Sequence, residues 1–125
     1  MHIHNLYTDA HGESHFRDLE IEWITEARGG KLSAQLPANG ITFREVPPTY
    51  DLDWHTAPRR QYIINLDAGN RMTASDGESR VIGAGEVILV EDTTGRAIGR
   101  DSRRPAAPLH LGDARLERRA ITMAN

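Results

Sequence analysis

Turn signals recur roughly every eight to twelve residues along this chain, and no long helical period develops between them. They include Arg28-Gly29-Gly30, Ala38-Asn39-Gly40, Pro47-Pro48, Asp67-Ala68-Gly69-Asn70, Asp76-Gly77, Gly83-Ala84-Gly85 and Thr93-Thr94-Gly95. The segments between them are short and strand-like. Expected strands cover roughly 3–7, 15–24, 31–36, 41–46, 50–56, 61–66, 71–75, 79–83, 86–91, 96–100, 108–111 and 115–123. Many short strands with regular turns point to an all-β sandwich or barrel with little helix. The plainest hairpin spans 71–83, turning at Asp76-Gly77-Glu78, where glycine can take a positive φ.

Two runs carry a further constraint. Gln61-Tyr62-Ile63-Ile64-Asn65-Leu66 and Val87-Ile88-Leu89-Val90 are apolar on both strand faces. Such strands are covered on both sides, so one face looks into a barrel and the other meets a second layer or a subunit. On the first run Gln61, Ile63 and Asn65 share one face and Tyr62, Ile64 and Leu66 the other. The segment 115–123 mixes helical and strand spacing. Ile121 and Thr122 decide it as strand.

The chain has 125 residues, the size of one domain, and we assign 1–125 as a single unit. The longest apolar run has four residues, which provides no membrane-spanning helix. The first basic residue is Arg17, so no secretory signal is expected and the cytoplasm is the expected compartment. There is no cysteine, hence no disulfide, thiolate nucleophile or Cys-based metal site. A net charge of −3 supplies no general attraction for nucleic acid or anionic lipid. Of the 15 basic residues only Lys31 is a lysine. An inward-facing arginine would therefore be a candidate ligand anchor.

The run Tyr50-Asp51-Leu52-Asp53-Trp54-His55-Thr56-Ala57-Pro58-Arg59-Arg60-Gln61-Tyr62-Ile63-Ile64-Asn65-Leu66 resembles the first motif of a cupin. Gly83-Ala84-Gly85-Glu86-Val87-Ile88-Leu89-Val90-Glu91-Asp92-Thr93-Thr94-Gly95 resembles the second. Gly12-Glu13-Ser14-His15-Phe16 and Thr42-Phe43-Arg44-Glu45 are similar to a subgroup of small single-domain bacterial cupins. The resemblance implies an antiparallel β-barrel of jelly-roll type, commonly dimeric, with a divalent transition metal inside. Its ligand set departs here. The first His matches His55, but the next ligand position is Ala57, the Glu position is Gln61, and the second-motif His falls on Ile98. Ala57 and Ile98 cannot ligate, and Gln61 is a weak donor for first-row metals. No tightly bound cofactor is therefore expected. A weakly held metal near His55 would need an off-motif ligand such as His15 or Glu45.

His55 is the expected acid/base, with Gln61 beside it. The alternative is a retained core imidazole bonded to Gln61 or to a carbonyl. Asn65, Arg44, Arg60, Ile63 and Ile98 complete the expected ligand-contacting set. Arg60 reads either as an anchor for an anionic group or as a surface ion-pair partner. Of Arg44 and Glu45 only one can face inward. Glu91-Asp92 reads as turn chemistry. His2, His4, His11 and His15 crowd the N-terminal segment and read as solvated. Gly83-Ala84-Gly85 is a turn, too short for a phosphate loop. The expected function is proton transfer on a small molecule, of isomerase, lyase or eliminase type. The alternatives are a non-catalytic small-molecule binding module and a metal-dependent cupin with an atypical ligand set. The stripe Tyr50, Leu52 and Trp54, facing away from His55, predicts a homodimer.

Overall fold

A computed structural model of the chain describes residues 1–47, 55–94 and 118–124. Its strands are β1 (His2–Thr8), β2 (Ser14–Glu20), β3 (Thr25–Ala27), β4 (Gly30–Leu32), β5 (Gly40–Val46), β6 (Gln61–Asn65), β7 (Asn70–Thr73), β8 (Ser79–Ile82), β9 (Val87–Val90) and β10 (Arg118–Ala124). No helix occurs among the described residues. The protein is thus a small all-β domain.

Six strands form one mixed sheet in the order β2-β1-β9-β6-β10-β5. Two hairpins, β3-β4 and β7-β8, stand apart from it. Most pairs are antiparallel, but β1 runs parallel to β9, with His4 opposite Ile88 and Leu6 opposite Val90. This corrects the expectation of a purely antiparallel sheet. Among the described residues the sheets do not close into a barrel. Strand β9 runs antiparallel to β6 and parallel to β1, so the sheet is mixed.

Register assigns every residue to a face. One face carries Phe16, Leu6, Val90, Ile88, Ile63 and Asn65. The other carries Ile3, Val87, Leu89, Tyr62, Ile64, Ile121 and Met123. The first packs on the β7-β8 hairpin. There Leu6, Phe16, Ala57, Ala74, Ile82, Ile88 and Val90 form the buried core, with Ile63 and Met72 against it. We call it the core face, and the second the outer face.

The hairpin lies where the sequence places it. Gly77 takes φ +93, and its N–H donates to the Ala74 carbonyl at 3.0 Å. Asp76 accepts from the Glu78 N–H at 2.8 Å, an Asx turn that fixes the bend. The 118–124 stretch is a strand because β5 and β6 flank it on both sides. Elsewhere the boundaries move. Strand β2 stops at Glu20, and the 31–36 strand shrinks to β4. Residues 21–24 and 33–39 instead leave the sheet as a strap. The expected strands at 96–100 and 108–111, and the Tyr50, Leu52, Trp54 stripe, lie outside the described residues.

Candidate functional site

The strap and the outer face together line an open-sided cavity of about 270 Å³. Its floor is Ile3, Tyr62, Ile64, Val87 and Met123. Its walls are Met1, Ile21 and Trp23 on one side, and Ser33, Leu36, Pro37 and Ala38 on the other. The lining is therefore mostly apolar; its polar groups include the Ser33 hydroxyl, the Tyr62 phenol, the Trp23 indole N–H and the terminal ammonium of Met1, which is paired with Glu20. It includes no ionised side chain. Such a surface favours uncharged or apolar matter by removing it from water.

The expected site residues divide between places. Tyr62 and Ile64 line the cavity, whereas Gln61, Ile63 and Asn65 point to the core face. Side chains alternate along β6 as expected, and the face that meets the cavity is that of Tyr62 and Ile64, opposite the expected ligand-contacting one. Asn65 is buried and committed. Its Nδ2 donates to the Ile82 carbonyl at 2.8 Å and to Asn70 Oδ1 at 3.1 Å, tying β6 to the hairpin. Ile63 packs against the core cluster. Arg44 shares the core-face side with Asn65 through Ala120 and is exposed on β5. Glu45 turns the other way and lies 3.3 Å from Arg119 Nε. His55 is exposed rather than enclosed. Ile98 lies outside the described residues.

Arg60 takes the ion-pair role. Its Nε donates to Glu91 Oε2 at 2.9 Å, and its guanidinium lies 5.8 Å from the Tyr62 ring centroid. The Glu91 carboxylate holds the Arg60 guanidinium above its ordinary pKa. Glu91 in turn accepts from Asn5 Nδ2 at 2.9 Å, and Asn5 Oδ1 accepts from Arg17 Nε at 2.6 Å. The Arg17 guanidinium stacks 4.3 Å above the Tyr7 ring. A polar row thus crosses the outer face from β2 to β6, with a fully buried Asn5 at its centre. No spacing in the sequence joins Asn5, Arg17, Arg60 and Glu91. They meet only because β1 lies between β2 and β9.

A second cluster sits next to this row, where the His15 ring lies 5.7 Å from that of Tyr7. His15 Nε2 lies 3.0 Å from Asp9 Oδ2, and His15 Nδ1 lies 2.7 Å from Asp76 Oδ2. Carboxylates only accept, so this geometry favours the imidazolium, which has an N–H for each of them. Hydrogen bonds to Asp9 and then Asp76 raise the His15 pKa above 6.5. The same contact, with backbone donors from Glu13 and His11, lowers Asp9 to about 2. Asp92 is also fully buried. Its Oδ1 accepts from the Thr8 hydroxyl, while Oδ2 has no hydrogen-bond partner among the described residues.

Among the described residues, no group of three or more His, Asp or Glu side chains has the closeness that holding a metal ion requires. His15 and Glu45, the off-motif ligand candidates, are engaged separately with Asp9 and Asp76, and with Arg119. No family model matches the chain. No curated protein matches it either.

Proposed function

We propose that the protein is a small-molecule binding module that takes an uncharged apolar body into the cavity beneath the strap. The single observation that carries this reading is the lining. Its volume, about 270 Å³, is just below the range of about 300–1,000 Å³ usual for ligand pockets, and its surface is almost wholly apolar. A neutral fluorescent probe, N-phenyl-1-naphthylamine, tests it. The expected result is enhanced emission saturating at one probe per chain, lost in Ser33→Trp, which fills the cavity from the strap. An intact protein that leaves the probe dark overturns the reading.

The relation to the jelly-roll cupins is part of this proposal, supported by the residues at 50–66 and 83–95. Proton transfer at His55 is the competing reading. An exposed imidazole gives it less support than an enclosed one would, since water screens and competes with substrate. Turnover of an activated carbon acid that disappears in His55→Ala would favour catalysis over binding alone. A homodimer is the proposed assembly. Ile41 and Phe43 support it, for both stand on β5, at the edge of the described sheet, with 60% and 75% of their surface exposed.

A further inference from the structure

We propose that the ligand of the cavity is an amphipathic monocarboxylic acid, its apolar body under the strap and its carboxylate on Arg17 and Arg60. This rests on the binding reading above and extends it to the ligand's charged end. Tyr62 joins the two places: its ring is part of the cavity floor, and the Arg60 guanidinium lies over it. On β1, separated from β6 by β9, Ile3 floors the cavity and Asn5, two residues on and on the same face, organises the polar row. The apolar floor therefore gives way to the polar row within one step along β1 and one along β6.

The charge of that row suits one extra negative group. Two guanidiniums face one carboxylate, Glu91, leaving a formal excess of one positive charge. Glu91 occupies Nε of Arg60 at 2.9 Å. Arg17 gives its Nε to Asn5, and its Nη2 lies 3.9 Å from Glu91, beyond hydrogen-bond reach. The terminal nitrogens of Arg17 thus keep donor capacity, and its side chain is half exposed. Stacking on Tyr7 and the bond to the buried Asn5 hold the guanidinium in one place, which lowers the entropy cost of receiving a carboxylate. Isolated surface ion pairs contribute little to stability, so stability alone gives weak reason for so ordered a row.

Calorimetric titration with octanoate and with octanamide tests the assignment, because the two share a body and differ in charge. The wild-type protein is expected to bind octanoate at least tenfold more tightly, with the difference shrinking as salt is raised. Arg17→Gln is expected to bring the two ligands within about twofold of each other, by weakening octanoate far more than octanamide. Arg60→Gln, on the other side of Glu91, is expected to act in the same direction and covers the case in which the first variant does not fold. Equal binding of acid and amide by the wild type overturns the head-group assignment and leaves the cavity reading standing. Binding of neither ligand overturns both.

Discussion

At the scale of single residues, the buried polar groups are the parts of this protein with most to lose. Asn65 closes two hydrogen bonds that hold β6 to the β7-β8 hairpin, one of them to a main-chain carbonyl. Truncation leaves the Ile82 carbonyl without that donor in a buried setting. Asn65→Ala is therefore expected to destabilise the fold by about 1–3 kcal/mol, read from urea unfolding. Leu6, fully buried at the centre of the core cluster, acts through volume instead. Leu6→Ala should cost about 2–5 kcal/mol by the same measurement, since a packed interior relaxes only partly around a lost side chain. A loss within 0.5 kcal/mol at either site would contradict these placements.

At the scale of elements, the β7-β8 hairpin is tied to the sheet by a charged clasp. His15 on β2 binds Asp9 in the β1-β2 turn and Asp76 in the hairpin turn. Reciprocal bonds between Ser14 and Ser75 run beside it, at 2.8 and 2.9 Å. Folding raises the His15 pKa, so its contribution is full below about 6.5 and is lost as pH rises through the folded value. Folding lowers Asp9 to about 2, so its contribution is present above 3.8 and is lost as pH falls towards 2. Unfolding midpoints measured against pH should fall as pH rises beyond about 6.5 in the wild type, and this part of the fall should be absent in His15→Gln. The turn itself gives a separate prediction. Gly77 has φ +93 with open space around its Cα, so Gly77→Ala meets no neighbour and costs only backbone strain. That strain is about 1–2 kcal/mol, and a neutral substitution would refute it.

At the scale of the whole molecule, the two faces of the sheet are covered to different extents. The core face is packed on the hairpin along β2, β1 and β9, while Thr42 and Arg44 on β5 stay exposed. The strap closes part of the outer face, and Ile41, Phe43 and Leu66 stay exposed. A second copy meeting this region would bury them without disturbing the core. Light scattering at micromolar concentration is expected to give a dimer for the wild type and a monomer for Phe43→Ser, with both folded. A wild-type monomer would sink the assembly, though not the cavity beneath the strap.

The strand pattern was legible because turn chemistry and side-chain alternation are local. Asp76-Gly77 specifies a hairpin wherever it sits between strands, and a stretch such as Val87–Val90 is apolar on both faces whatever its neighbours. Side-chain parity along β6 follows from strand alternation alone. Which of its faces meets a cavity was not written there. That depended on residues 21–24 and 33–39 leaving the sheet to cross the outer face. Likewise nothing near Asn5 in the chain announces Glu91, and nothing near His15 announces Asp76. Sequence alone determined an all-β chain and which residues share a side of each strand, because those follow from dihedral preference over a few residues. Tertiary structure decided strand order, the parallel entry of β1 and the meeting of distant charges, because these depend on which strands are neighbours in space.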